Sequence, residues 1–471
     1  MKTVSLLSII FSILLFPLSL TAAEPGKTNI VLIIGDDVGY SDLSPFGSDI
    51  DTPNLATLAQ EGVAFTNYHT PPACSPTRAQ LHNGVDHHLI GLGRWDYAPF
   101  LGRDGLPGYE GYLTNNKVSV AELLRDAGYH TYISGKWHQG HESHVDPYLH
   151  GFEESYVLLE GGANNYTNIG MTAFWPTAAF TRNGKKVRRV EGDHSDKYWT
   201  DNLIKMISGN QDDEPFYAVL SFQTAHFPLQ APESLIKKYQ QRLRAGWEKQ
   251  RQLRLARQKQ LGIVPVEYEP ASASIPEQEG WENLSAEGKE YEIKRGAIYA
   301  AMIEHHDHHI GRLLQYLKTI NEYDNTLFIY VSDNSGAIQD FRDGMEGKLG
   351  SRWYQQNFYH GYENIGKWNS NIGPGVGWGM SSNTPNSWHK LTIYEGGISV
   401  PMIVRHPNTV VPGRYSNALT QAMDVAATVL DAASVEHPGS HYKERKVFPL
   451  QCRSVLPVLS HNAESVYADD E

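Results

Sequence analysis

Cysteine is nearly absent: Cys74 and Cys452 are the only two in 471 residues. A disulfide framework is thereby excluded, at most one bridge can form, and each thiol needs its own explanation. Basic charge is in deficit, with 40 Lys and Arg against 53 Asp and Glu and a formal net charge of -13. That balance offers nothing to nucleic acid or to an anionic lipid surface, so an anionic ligand has to be met by a locally basic pocket. Long apolar runs are missing after the N-terminus, and no membrane span is expected in the mature chain. The exception is the apolar stretch 4–20, behind Lys2 and ahead of Thr21, Ala22 and Ala23. It reads as an export signal over 1–23, removed on the way to the periplasm or the exterior.

What is present is globular. Hydrophobic residues make up 40% and aromatics 11%, with 42 Gly and 25 Pro, the composition of a loop-rich enzyme whose connections carry groups over a large buried sheet. Four short apolar runs, 29–34, 129–134, 216–222 and 326–331, each lead into polar groups of a kind used in catalysis. Asp36 and Asp37 follow the first, Lys136 and His138 the second, His226 the third, and Asp333 and Asn334 the fourth. Buried parallel strands with functional carboxyl ends have this pattern, so one sheet edge should collect all four groups. Amphipathic stretches at 118–127, 300–317 and 422–433 supply helices, and the expected architecture is an α/β/α sandwich on a mostly parallel central sheet.

The stretch 237–259 carries nine basic residues against one acid, Glu248, and reads as a solvated surface helix. The following 263–280 reads as a surface loop, and 233–297 as an insertion-like excursion. A catalytic domain over 24–435 is expected to be followed by the start of a smaller, incomplete unit over 436–471, too short for a core of its own.

Asp36, Asp37, Asp333 and Asn334 are hard oxygen donors suited to Ca²⁺ first and Mg²⁺ second. Either pair alone reads as a turn or a helix cap; the two together point to one cation. His305 and His309 have the i, i+4 spacing of a helical metal pair. They are read as structural, because no carboxylate or thiol partner can be placed beside them.

Residues 74–78 read CSPTR. On its own Cys74 is a buried structural thiol, a bridge to Cys452, or a nucleophile awaiting a nearby His. CSPTR resembles the site at which the sulfatase family has its cysteine oxidised to formylglycine (3-oxoalanine), an aldehyde whose hydrate is the nucleophile. TPNLATLAQEG at 52–62, GKWH at 135–138, HFPLQAP at 226–232, SDNSG at 332–336 and HKLTIYEGGISVP at 389–401 resemble further sulfatase signatures in the same order. The basic stretch, SNTPNSWHK at 382–390 and EHHDHHIGRLL at 304–314 resemble the bacterial arylsulfatase branch. Thr77, His82 and Asn83 depart from the usual pattern around the cysteine, and Cys452 is given no role.

The resemblance implies an alkaline-phosphatase-like core and hydrolysis of a sulfate ester, aryl or carbohydrate. It implies one Ca²⁺ on Asp36, Asp37, Asp333 and Asn334, with the group derived from Cys74 completing its shell. Arg78 and Lys136 would stabilise the hydrate and the sulfate, and His138 would take a proton from the hydrate. His226 and Lys390 would bind the sulfate and serve the departing oxygen. A formylglycine-generating or sulfatase-maturating enzyme is the implied maturation partner. The alternatives are a phosphate or phosphonate ester hydrolase on the same scaffold, or a sulfated-ligand-binding protein should Cys74 stay unconverted.

Overall fold

The computed structural model describes residues 27–94, 106–270, 280–340, 347–409, 411–460 and 463–468. The export signal expected over 1–23 lies outside them, as does 271–279 of the expected loop.

The four apolar runs are strands. In chain order the first eleven strands are β1 (Asn29–Gly35), β2 (Val63–Phe65), β3 (Tyr68–His69), β4 (His130–Lys136), β5 (Glu154–Leu158), β6 (Phe180–Arg182), β7 (Lys185–Val187), β8 (Phe216–Ser221), β9 (Thr326–Ser332), β10 (Met402–Arg405) and β11 (Arg414–Ser416). All but β3 join one ten-stranded sheet in the order β11-β2-β10-β9-β1-β8-β4-β5-β6-β7. Its centre, β9-β1-β8-β4-β5, is parallel, and antiparallel pairing is confined to the flanks, where β10 meets β9 and β2 and where β6 meets β5 and β7.

Every residue of β1 is buried, which explains its unbroken apolar run. Val31 and Ile33 face one core, and Ile30, Leu32 and Ile34 face the other. Helices α1 (Pro53–Glu61), α2 (Cys74–Asn83), α3 (Val120–Asp126), α4 (Ser195–Ser208), α5 (Glu233–Arg242), α6 (Gly246–Leu261) and α7 (Ala286–Thr319) divide between the two faces. Leu55 of α1, Trp199 of α4, Tyr239 of α5 and Ile303 of α7 pack in the first core; Leu81 of α2, Leu124 of α3 and Val425 of the helix Asp424–Ala432 pack in the second. This is the expected α/β/α sandwich. From the chain after 436, Tyr442, Val447, Val455, Val458 and Leu459 also enter the second core.

Local signals set the helix ends. Ser119 and Glu122 form a reciprocal capping box at the start of α3, so the helix begins two residues later than 118. Ser285 accepts a hydrogen bond from Gly288 N–H and starts α7 well before residue 300; the helix then runs 34 residues. The basic stretch is not a solvated helix. It breaks at Gly246, whose φ is +79°, and on α6 the side chains of Trp247, Gln250, Arg254 and Gln258 are buried. Arg254 donates to Asp42 Oδ1 at 2.7 Å, and Gln258 donates to the carbonyls of Thr384 at 2.8 Å and Phe46 at 3.1 Å. A polar stripe with partners supplied from distant parts of the chain looks the same in sequence as a polar stripe facing water. With Ile236, Tyr239, Trp247 and Ala297 in the first core, the described parts of 233–297 belong to the sandwich and are no excursion. Among the described residues no helix is long and apolar enough to cross a membrane.

Candidate active site

The carboxyl ends of β9, β1, β8 and β4 are neighbours, and the loops leaving them are tied together by backbone hydrogen bonds. Asp36 N–H donates to Thr224 O at 3.0 Å, and Asp333 N–H to Gly35 O at 3.0 Å. Val38 N–H donates to Ser332 Oγ at 3.0 Å. Gly35 has no alternative: a Cβ there would lie 2.7 Å from Tyr330 Oη and 2.9 Å from Val38 Cγ2. Asp37 (φ +59°), His138 (φ +55°), Trp388 (φ +75°) and Leu391 (φ +70°) occupy the left-handed region that side chains avoid. They sit within the site or flank Lys390, where such local strain is held by its surroundings.

All ten residues expected in the site converge, and all are buried. Cys74 opens α2, and Arg78 follows one turn later on the same face. Lys136 Nζ lies 2.6 Å from Asp36 Oδ2, Lys390 Nζ lies 2.5 Å from Asp37 Oδ1, and Arg78 Nη2 lies 2.7 Å from Asp333 Oδ2. Arg78 is further fixed by donating to Ser221 Oγ at 2.6 Å and Lys136 O at 2.9 Å. Asn334 Nδ2 donates to Asp37 Oδ1 at 2.6 Å. Cys74 Sγ is 3.1 Å from His138 Nδ1. His226 is the loosest member, with Nε2 3.9 Å from Asp37 Oδ2 and its Nδ1–H donated to Phe227 O at 2.7 Å.

Burial and charge act against each other throughout. Burial pushes the Cys74 thiol up, but His138, Lys136 and Lys390 more than offset it and hold the thiol at about 6. Burial also raises Asp37, yet Lys390, His226 and Lys136 bring it down to about 2. Asp36 goes the other way, pushed well above the ordinary carboxylate range by burial and by Asp333 despite the pull of Lys136. Burial lowers the His226 imidazole well below its usual range, opposed by Asp37 and reinforced by Lys390.

Asp36 Oδ1, Asp37 Oδ2 and Asn334 Oδ1 are buried with no hydrogen-bond partner. Leaving such atoms unsatisfied costs about 1–3 kcal/mol each. Asp36, Asp37 and His226, and likewise Asp36, Cys74 and Asp333, bring potential ligand atoms within 4.8 Å of one another. The orphaned atoms are all oxygens, so the donor set fits a hard divalent cation and would not suit a thiolate-preferring one.

Three supporting features escaped the sequence reading. A Cβ on Gly161 would lie 2.8 Å from His138 Cε1 and 2.9 Å from Nε2, and one on Gly162 would lie 3.2 Å from His226 Nδ1. The doublet is therefore the wall against which both histidines rest, and two adjacent glycines after a strand were a visible signal of close approach. Gly161→Ala should displace His138 and lower kcat/KM by about 10- to 100-fold with little change in melting temperature. Steady-state kinetics beside thermal unfolding check this; wild-type kinetics in the variant would show that the imidazole does not need that space. Behind Asp37, the Tyr299 hydroxyl lies 2.9 Å from the Asp37 carbonyl and 2.7 Å from Asp42 Oδ2, which also accepts from Ser382 Oγ and Gly39 N–H. Arg254 closes that network from α6, a partner that no local pattern announces.

Cys452 is half-buried beside the other end of α2, its Sγ 3.5 Å from Gly84 O, and burial with Asp424 raises its thiol to about 12. A ten-residue helix is about 15 Å long, so Cys74 and Cys452 cannot bridge. Both thiols are free. His82 is a core aromatic, tilted against Trp137 and edge-on to Phe152.

The sulfatase family matches residues 28–435. An uncharacterized sulfatase of Schizosaccharomyces pombe is 38% identical over 439 residues, covering 90% of this chain and 78% of that protein. An arylsulfatase of Klebsiella aerogenes is 31% identical over 435 residues, 91% of each. The fold recurs in a protein solved with D-glucosamine-2-N,6-O-disulfate (TM-score 0.55, 20% identity, 94% of this chain and 82% of that one). It recurs too in the phosphonate monoester hydrolase of Agrobacterium radiobacter (TM-score 0.54, 20% identity, 92% and 77%). The family match runs through every residue of the pocket, from Asp36 to Lys390, and the chain belongs to the sulfatase family.

Proposed function

We propose that this sulfatase hydrolyses its sulfate ester with a nucleophile made from Cys74, on a Ca²⁺ held by Asp36, Asp37, Asp333 and Asn334. One observation carries the reading: Cys74 Sγ stands 3.1 Å from His138 Nδ1 at the head of α2, in a pocket where three cationic side chains each face a carboxylate. The Sγ occupies the place of the hydrate oxygens that oxidation of Cys74 would provide. Attack at sulfur needs an activated oxygen, a counter-charge for the nonbridging oxygens, and help for the departing one. A bound calcium would supply the positive charge that polarises and orients the ester.

This chain's own groups do the rest. His138 Nδ1 accepts a proton from the nucleophile, and Gly161 keeps the ring in line. Arg78 and Lys136 present fixed positive charge on the nucleophile side. Lys390, which Asp37 and its acidic neighbours hold protonated against the cost of burial, serves the departing oxygen. His226 donates Nδ1–H to Phe227 O, so it can donate to the sulfate or to the departing oxygen only as an imidazolium, with a second proton on Nε2. Aryl esters leave more readily than sugar alcohols, since a phenol near pKa ~10 needs less protonation. The arylsulfatase relative agrees with that preference, while the disulfated glucosamine in a structural relative keeps carbohydrate sulfates in scope. Export of the chain and action of a formylglycine-generating or sulfatase-maturating enzyme on Cys74 complete the proposal.

Peptide mass spectrometry of active protein should find an aldehyde at Cys74, and an aryl sulfate should be hydrolysed in preference to the matching aryl phosphate. Active protein with an intact Cys74 thiol would overturn the nucleophile. Preference for the phosphate or a phosphonate would move the chain to the alternative chemistry on this scaffold.

A further inference from the structure

His305 and His309 do have a carboxylate beside them, contrary to the sequence reading: Asp196, fully buried near the start of α4, lies with Oδ2 3.0 Å from His305 Nδ1. His309 Nε2 is 3.2 Å from His305 Nε2, and Arg312 Nη1 is 3.1 Å from His309 Nδ1. A guanidinium only donates, so the direction of the whole chain is fixed. His309 accepts at Nδ1 and carries its proton on Nε2; His305 accepts at Nε2 and donates Nδ1–H to Asp196. On its other side Asp196 accepts the Thr224 hydroxyl at Oδ1. His194 closes the cluster, accepting Asp196 N–H at Nδ1 (3.2 Å) and donating Nε2–H to Gln230 O (3.0 Å). Each of these ring nitrogens is engaged in one consistent tautomer set, and a metal ion at His194, Asp196 and His305 would have to break it.

Thr224 and Gln230 bracket His226. The Thr224 carbonyl also receives the Asp36 N–H at 3.0 Å, so one residue touches both the sulfate-binding loop and the acidic loop. We propose that Asp196 and His305 are positioning residues, fixing Thr224, and through it His226 and Asp36, by a one-directional hydrogen-bond chain that starts at Arg312. The proposal rests on the reading of His226 as a sulfate-binding group.

Asp196→Asn is the sharpest perturbation. An amide can satisfy Thr224 with its oxygen only by turning its NH₂ toward His305, which must then accept at Nδ1 and carry its proton on Nε2. His309 must reverse in turn and meets Arg312, which has no acceptor to offer; the wrong tautomer is imposed, as when the acid of a catalytic triad becomes its amide. We expect kcat/KM to fall by about 10- to 100-fold, carried mostly by KM, with inhibition by inorganic sulfate weakened in parallel. Arg312→Gln supplies an acceptor and should leave the parent enzyme near wild type, yet in the Asp196→Asn background it should restore most of the loss. A merely structural carboxylate would not be rescued from Arg312, so a double variant no more active than Asp196→Asn overturns the proposal. Nitrogen-15 imidazole NMR gives a readout independent of turnover. It should find the proton on Nδ1 of His305 and Nε2 of His309 in the wild type, and the opposite tautomers in Asp196→Asn. A wild-type His305 protonated on Nε2 sinks the chain even if sulfatase activity is intact, whereas absence of any sulfatase activity with these tautomers in place sinks the functional reading instead. Should Asp196→Asn fail to fold, Thr224→Ser should keep activity and Thr224→Val lose it; equal activity of the two refutes the role of the hydroxyl.

Discussion

Cys74→Ser should turn the enzyme into a single-turnover reagent. The serine hydroxyl would stand where Cys74 Sγ stands, 3.1 Å from His138 Nδ1, and it keeps the cations that receive the ester. Attack should therefore proceed, slowly, and release a single equivalent of phenol from an aryl sulfate. Release of sulfate is a different step: it needs a second hydroxyl on the same carbon, from which His138 can draw a proton while the sulfate departs, and serine has none. The product is a stable sulfated serine at position 74, and steady-state turnover should drop by about 10⁴-fold or more, the scale on which other enzymes lose a nucleophile. Rapid-quench kinetics should show the burst, and intact-protein mass spectrometry the added sulfate. His138→Ala in matured enzyme should slow release more than attack and so approach the same state from the other side. Sustained turnover by rigorously purified Cys74→Ser, with no sulfated serine, would eliminate the mechanism.

Why so much of this site is legible in one sequence follows from where its residues sit. Asp36, Asp37, Lys136, Asp333 and Asn334 lie at or just past the carboxyl ends of buried parallel strands, and a buried strand announces itself as an apolar run with an abrupt polar end. Cys74 and Arg78 share one short motif, and His226 and Lys390 lie in others, so resemblance sufficed to bring them in. The groups that hold these residues in place are not legible in the same way. Arg254 reaches Asp42 across 212 positions, and Asp196 reaches His305 across 109. Neither pair has a local period or a turn signature, and each half taken alone looks like an ordinary surface charge. The reading of 237–259 as a solvated helix failed for the same reason: the acceptors that make Arg254 and Gln258 tolerable in the interior come from the far side of the chain. Sequence pattern reports burial well when the buried group is apolar and poorly when it is polar and paired.

Removing the cation should abolish activity while leaving the fold intact. Asp36, Asp37 and Asp333 face Lys136, Lys390 and Arg78 one for one, so without a divalent ion each ammonium is committed to a carboxyl oxygen 2.5–2.6 Å away. An incoming sulfate ester then finds no uncommitted lysine. Asp36, Asp37 and Asn334, whose Oδ1, Oδ2 and Oδ1 atoms have no hydrogen-bond partner, would hold the ion and give the carboxylates another partner, which would leave the lysines available to the ester. A contribution of about 3 kcal/mol to the transition state corresponds to roughly 100-fold in rate, and we expect at least that loss in chelated protein, with recovery on adding one equivalent of Ca²⁺ per chain. The same ion should stabilise the fold by about 2.7 kcal/mol at a hundredfold excess over its Kd, and this gain should depend on pH. Asp36 is raised in the ion-free protein, so its contribution to stability is fully present below the ordinary carboxylate range and is lost as pH rises through its folded-state value. The ion competes with that proton, and its stabilising effect should therefore grow from mildly acidic to neutral pH. Asp37, held at about 2, stays ionised throughout that window and adds no slope of its own. Thermal unfolding with and without Ca²⁺ at the two pH values, with metal content measured by elemental analysis, tests both statements. Full activity in protein shown to be metal-free, or a Ca²⁺ shift in melting temperature that is the same at both pH values, would remove the cation from Asp36.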